Sequence, residues 1–367
     1  FYDVKKMKKV IAVLLSLVLV FSMVACGNSN DDPSQEGKEW KVAVLLPRIG
    51  DQSFFDSVNA GRIALDERDN VQADLIEIGE DVAQYDSFFQ DACESGYDLI
   101  VSGYATYEPY LYKAAKQYPD QLFFNYDYSA PEDLDNVYAV TYKSSDMGYI
   151  AGALSALITE SDMEKANSDK KIGAIVGMES DYMNDFIGSF CQAATDYGVQ
   201  AYISYPNSFK DTAKAKEQAL AMYNDGVDII WQVAGGAGLG VFEAAAGSDK
   251  YAIGVDSDQV LALSGKPELA STIVSSIYKD CGAALINAVD QLIAGTYPAG
   301  TKATMGLADG TVGLVENEQY TKMVPESIRT EMQEVIEKIK NGDITPYSVI
   351  AEPEKWESVK AEATARK

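Results

Sequence analysis

The sequence predicts an α/β protein of two doubly wound lobes, each a parallel sheet covered by helices on both faces. Three observations predict it. Apolar runs of strand length recur along the body without polar alternation. Helical patterns lie between many of them. The chain has 367 residues, more than one ordinary domain needs. Continuous apolar strands that alternate with helices mark strands buried on both faces, which is the habit of parallel sheets.

Taken in order, "KVAVLLP", "ADLIEIG", "DLIVSG", "LFFNYD" and "VYAVTY" read as the strands of a first series. Helical patterns such as "FFDSVNAGRIALDER" and "YEPYLYKAAKQYP" separate several of them. After "VYAVTY" and the helical "MGYIAGALSALIT" comes the charged loop "TESDMEKANSDKK". A second series follows, with strands "KIGAIVGM", "QAYISYP", "DIIWQVA", "YAIGVD" and "ASTIVSSI". The chain is therefore expected to cross between lobes near Tyr142–Met147. "SFFD" at Ser53 and "SFFQ" at Ser87 echo each other, but Phe88 and Phe89 sit inside a helical pattern and read as core.

Composition narrows the function. A formal charge of −26 argues against nucleic acid or an anionic membrane surface as a partner, because both would repel the chain. The absence of histidine removes imidazole acid–base catalysis, Ser-His-Asp and Cys-His nucleophiles, and histidine-bearing metal sites. Of the four cysteines, Cys93, Cys191 and Cys281 fall in helical patterns and read as buried, inert thiols.

Cys26 is different. Lys5, Lys6, Lys8 and Lys9 form a basic segment, Val10 to Val24 an apolar run short for a membrane span, and "MVAC" leads into polar residues. This is the layout of a secretory signal, and the cysteine after a small residue makes it resemble a bacterial lipoprotein signal. Residues 1–25 are then the signal, Cys26 carries the lipid, and 26–39, rich in Asn, Asp, Ser and Gly, form a tether.

Ligands of open α/β sheets bind beyond the carboxyl ends of the strands, so strand-end residues are the candidates. "IGDQSFFDS" puts two adjacent phenylalanines, Phe54 and Phe55, at a strand-to-helix junction, where a helix can turn only one fully into the core. Phe54 and Phe209 stand at the mouths of different βα units; they either face each other across a cleft, as two sides of a flat ring would need, or fill the core. "AGGAGLG", Ala234 to Gly240, lacks dinucleotide spacing and a Walker lysine; its glycines bring backbone N–H groups to a ligand hydroxyl or merely permit a turn. In "IGVDSDQ", Asp256 and Asp258 suit sugar hydroxyls, to which a carboxylate accepts charge-assisted bonds, or cap a turn. Lys279, after "STIVSSIY", is a candidate donor to a ribose oxygen and a counter-charge to Asp256. Tyr104, Tyr107, Tyr110 and Tyr112 crowd one segment that lines the cleft or the surface.

These stretches also carry a resemblance. "GDQSFFDS", "YPDQLFFNYD", "SSDMGYIAGALSAL", "IGAIVGMESDYMNDFIGSF", "IIWQVAGGAGLGVFEAAA", "IGVDSDQ", "STIVSSIYKD" and "GLADGTVGLV", in that order after a lipoprotein signal, resemble the basic membrane protein family, the PnrA-like nucleoside-binding lipoproteins of ABC transporters. The resemblance covers about Trp40 to Val315. It implies a type I periplasmic-binding-protein fold, two lobes joined by a three-strand hinge that closes over the ligand. Lobe 1 would take residues 40–143 with about 256–298, and lobe 2 residues 144–255 with about 299–367.

The resemblance further implies a nucleoside whose purine base lies between two phenylalanines, matched by Phe54 and Phe209, with Asp51 and Asp127 as acids near the base. Gly235, Asp256 and Lys279 match the ribose contacts, Asp256 being favoured over Asp258 because it comes directly off the strand. The family commonly has Asn after the first phenylalanine, where it can bond the base edge. Phe55 stands there in this chain, so base identity is open at that edge. No catalytic residue, cofactor or metal is expected, and no nucleic acid. The expected partners are a small-molecule ligand and a separate permease and ATPase, with the chain a monomer lipid-anchored on the outer face of the cell membrane. The competing reading is a binder of the same fold for a sugar or other small metabolite, or a surface sensor without transport.

Overall fold

The computed structural model describes residues 37–128 and 132–365. The first series runs β1 (Trp40–Leu46), α1 (Phe54–Asp66), β2 (Val71–Glu77), α2 (Tyr85–Glu94), β3 (Leu99–Ser102), α3 (Glu108–Gln117), β4 (Leu122–Asn125) and β5 (Val137–Tyr142). After α4 (Ser144–Thr159) come β6 (Lys171–Val176), α5 (Asp181–Asp196), β7 (Gln200–Ser204), α6 (Thr212–Asn224), β8 (Ile229–Val233), α7 (Leu239–Ser248), β9 (Tyr251–Asp256) and β10 (Ile273–Lys279). The chain ends with α8 (Cys281–Ile293), β11 (Lys302–Met305), β12 (Val312–Leu314), α9 (Glu326–Asn341) and α10 (Trp356–Thr364). Short helical turns, among them Gln259–Ala262 and Glu318–Met323, lie between these elements.

Two six-stranded sheets result, ordered β11-β5-β4-β3-β1-β2 and β12-β10-β9-β8-β6-β7. The pairings are parallel throughout except β10 with β12, which run antiparallel. The ten strands read from sequence all form. β11 and β12 are additional: Lys302–Met305 is half in solvent and Val312–Leu314 is only three residues, so neither shows a buried strand's pattern.

The chain passes between the sheets three times. The first passage, from β5 into α4, lies at Lys143. Apart from Leu157, every residue of α4 is buried, which fits a helix apolar on all sides. The other two passages differ from the expected lobe limits. β9 and β10 pair with each other in the second sheet, so residues 256–279 stay in lobe 2 and the return comes at Asp280. β11 pairs with β5 in the first sheet, so the last passage lies between Met305 and Val312 rather than at 299. A buried parallel strand has the same periodicity in either sheet, and only the tertiary pairing shows which it joins. α8 docks on α1 in lobe 1, where a Cβ on Gly61 would lie 2.6 Å from the Gly282 backbone; only glycines allow this approach.

Cys191 and Cys281 are buried free thiols, whereas Cys93 is half-buried; burial pushes the Cys93 thiol up to about 11 and that of Cys191 up to about 12. Among the described residues no helix is long and apolar enough to cross a membrane. The leader of residues 1–25, Cys26 and most of the tether lie outside the described residues.

Candidate functional site

The carboxyl ends of both sheets meet in a cleft that holds a cavity of about 130 Å³. Asp51, Phe54, Phe55 and Asp127 reach it from lobe 1, and Phe209, Gly235, Asp256 and Lys279 from lobe 2. All eight candidates read from the sequence therefore line one space, although they are spread over more than two hundred positions of the chain.

The loop from β1 to α1 is built around Asp51. Its carboxylate accepts the backbone N–H groups of Ser53 (3.0 Å), Phe55 (3.0 Å) and Asp56 (3.1 Å), which ties off the start of α1 as a capping side chain does. Burial pushes its pKa above the ordinary carboxylate value, against the pull of these donors. Gln52 beside it takes a left-handed φ of 58°, a conformation non-glycine residues adopt at a cost. This turn settles the two phenylalanines. Phe55 is the buried one, 7% exposed, edge-on to Tyr104 with ring centroids 5.3 Å apart. Phe54 is half-buried and keeps its ring in the cleft.

The charged end of the cavity is a cluster drawn from both lobes. Lys279 Nζ donates to Asp127 Oδ1 at 2.8 Å, and the Tyr182 hydroxyl donates to the same oxygen at 3.0 Å. Ser53 Oγ donates to Asp256 at 2.6 Å. The Lys279 ammonium also sits over the Phe54 ring at 4.5 Å, with Tyr142 at 5.5 Å and Phe186 at 6.0 Å, inside a cage of aromatic faces. Burial raises the Asp127 pKa to about 6, although Lys279 and Tyr182 both pull it down. Burial raises that of Asp256 as well, opposed by Lys279 and the Ser53 bond. Burial pulls the Lys279 pKa down, but Asp127, Tyr182, Cys281 and Asp256 outweigh it and push it well above the ordinary lysine value. Two buried carboxylates thus share one buried cation.

Asp256 and Asp258 are now distinguishable. Asp256 faces the cleft, on a backbone with φ of 66°. Asp258 caps Gln259–Ala262 by accepting from Val260 and Leu261 N–H, and takes two further bonds from Asn317 Nδ2 at 3.0 Å each. It is a structural cap.

Phe209 lies in the segment between β7 and α6. Its ring covers the backbone of Gly177, where a Cβ would come within 2.2 Å of Phe209 Cε1. Its carbonyl accepts the N–H of Ala237 at 3.0 Å, which couples it to the glycine-rich turn. In that turn Gly235 and Gly236 face the cavity, whereas side-chain atoms at Gly238 or Gly240 would collide with Gln232 and Thr212. The "AGGAGLG" glycines therefore divide between cavity wall and packing.

Several cavity residues were not singled out from sequence. Tyr182 and Phe186 enter from the first turns of α5, four residues apart on one helix face. Gln259 Nε2 donates to the Gln52 carbonyl at 2.8 Å, a further link between the lobes. At the mouth, Glu80 accepts from Arg48 at 2.9 Å and from Lys210 of the other lobe. Tyr182 and Phe186 had a signal in their helical spacing; the Arg48–Glu80–Lys210 clasp had none. The assembled chemistry, aromatic walls with buried carboxylates and an ammonium, suits holding a flat ring that carries hydroxyl groups. No cluster of acidic or cysteine side chains that could hold a metal occurs among the described residues.

Comparison with known proteins agrees with this architecture. The family model described as Bmp, ABC transporter substrate-binding protein PnrA-like, matches residues 40–345. The chain is 28% identical over 365 residues to a CD4+ T-cell-stimulating antigen of Listeria monocytogenes, covering 92% of this chain and 98% of that one. It is 29% identical over 330 residues to the ABC transporter nucleoside-binding protein BmpA of Lactococcus lactis subsp. cremoris, covering 84% and 91%. A solved ABC transporter solute-binding protein from Aeropyrum pernix K1 superimposes with a TM-score of 0.76 at 23% identity, covering 88% of this chain and 99% of that one.

Proposed function

The chain belongs to the PnrA-like family of ABC transporter substrate-binding proteins, and from that premise we propose that it captures a nucleoside with a purine base for import. Proteins of this family bind solutes and catalyse no reaction. They take a small-molecule ligand on the extracytoplasmic side and work with permease and ATPase subunits. In the proposed role this chain is held at the membrane by lipid on Cys26, and closure of the lobes encloses the ligand as a monomer before delivery.

One observation carries the nucleoside reading. Phe54 and Phe209 come from opposite lobes into one cavity whose other end holds Asp256, Lys279 and Asp127. The phenylalanines stack on the two faces of the base, each contact contributing about 0.5–1.5 kcal/mol beyond area burial. Asp256 accepts from the ribose hydroxyls, Lys279 donates to a ribose oxygen, and Asp127 keeps Lys279 in place. The name of the Lactococcus relative supports the same class.

Thermal-shift and calorimetric titration with nucleosides, free bases and pentoses tests it. Nucleosides should stabilise the protein, and bases or pentoses alone should do so far less. Phe54→Ala and Asp256→Ala should each lower nucleoside affinity about tenfold or more and leave the protein folded. A clear shift with a pentose and none with any nucleoside would overturn the reading in favour of a sugar binder.

A further inference from the structure

Phe55 cannot bond a base edge, yet it lines the cavity beside Phe54, and the structure shows what it supports. The Arg48 guanidinium lies over the Phe55 ring, 5.8 Å from its centroid, and its Nη1 is fixed by Glu80 at 2.9 Å. A flat ring below and a carboxylate at one side hold the group in a defined plane. Its Nη2 points to the opposite lobe: a Cβ on Gly236 would be 3.7 Å from Arg48 Nη2 and 3.3 Å from the Phe209 carbonyl. The guanidinium therefore stands beside the Phe209 wall, away from the Asp127–Lys279–Asp256 cluster.

The other polar groups at this end leave Arg48 as the discriminating one. Asp51 has its carboxylate engaged by three backbone N–H groups. Glu80 is engaged by Arg48 and Lys210. The Phe209 carbonyl accepts from Ala237. The Tyr104 hydroxyl can donate or accept and so distinguishes nothing. Arg48 and Lys210 both only donate, but Lys210 is a point charge drawn to Glu80, whereas Arg48 presents a fork of N–H groups that matches two adjacent acceptors.

We propose that Arg48, seated on Phe55, reads the base edge and selects 6-oxopurine nucleosides over 6-aminopurine nucleosides. This rests on the nucleoside reading above. The O6 and N7 atoms of guanine or hypoxanthine present two adjacent acceptors, the pair that arginine bonds bidentately. Adenine keeps N7 but turns an amino donor toward the guanidinium, which leaves donors facing each other without a partner. Phe55 acts as a positioning residue: it orients Arg48 and does not itself read the base.

Isothermal titration with inosine, guanosine and adenosine tests the assignment, since inosine and adenosine differ at the edge in question. Inosine and guanosine should bind about tenfold tighter than adenosine, or more. Arg48→Met should collapse the inosine-to-adenosine ratio toward one, by weakening inosine much more than adenosine. Phe55→Leu should lower the same ratio with Arg48 still present, which a purely structural role for the ring would not do. Arg48 is about one-third exposed, so its variant keeps the fold, and circular dichroism checks this. Equal binding of inosine and adenosine, or a ratio unchanged in Arg48→Met, would overturn the role of Arg48 and leave nucleoside binding intact. Absence of binding by all three would instead overturn the nucleoside reading.

Discussion

Two ionic clusters join the lobes across the cleft, and they sit in opposite environments. At the inner end, the side chains of Lys279 and Asp127 are 5% and 6% exposed, and Asp256 is buried beside them. At the mouth, Arg48, Glu80 and Lys210 are 31%, 46% and 49% exposed. Both clusters pair opposite charges. Water separates their consequences. In the inner cluster an unpaired charge has no solvent to turn to, so each member depends on the others. At the mouth each charge is solvated whether or not it is paired, and the pairing sets geometry more than stability. The inner pairing thus bears on stability, and the outer one on the placement of Arg48.

Removing the shared cation should separate the two most. Lys279→Met leaves Asp127 and Asp256 buried without a counter-charge, and breaking such a cluster costs about 3–5 kcal/mol. Chemical denaturation should show a loss of that order; a loss below about 1 kcal/mol would mean that the inner end is as wet as the mouth.

A pH titration sharpens the comparison next. Burial holds the Asp127 pKa near 6, above the value of an unfolded carboxylate, and Asp256 and Asp51 are shifted in the same direction. The folded state then binds more protons than the unfolded chain between these values. Stability should therefore be higher near pH 5 and fall as pH rises through about 6. Melting temperatures at pH 5, 6 and 7 should show this slope, and Asp127→Asn should flatten part of it. An identical slope in the variant would remove Asp127 as its source.

The smallest effect belongs to the mouth. Glu80→Gln should change stability by no more than about 1 kcal/mol, and added salt should shrink the difference further. A loss as large as that of Lys279→Met, insensitive to salt, would erase the distinction between the clusters.

Much of the site was legible because it depends on one general rule. Residues at the carboxyl ends of parallel strands converge, so Asp51, Asp127, Asp256 and Lys279 could be gathered before their contacts were known. Their partners were not legible. Ser53 bonding Asp256, or Lys210 reaching Glu80, joins residues more than a hundred positions apart without leaving a periodic trace. Asp256 could be favoured over Asp258 because it comes directly off the strand, but the partners that separate them, Ser53 for Asp256 and Asn317 for Asp258, left no trace in the sequence. The lobe limits after residue 256 failed for β10 and β11 because a strand's apolar run records that it is buried and not beside what.

By itself, then, the sequence determined the alternation of strands and helices, the strand ends where a ligand would be met, and the junction that presents Phe54. These follow from local backbone preference and hydrophobic periodicity, which act over a few residues. Tertiary structure alone decided that Phe55 turns inward beneath Arg48, that one lysine serves two acids, and which sheet receives β10. Those outcomes depend on burial and charge pairing between distant segments, whose energies exist only once the lobes are packed and water is excluded.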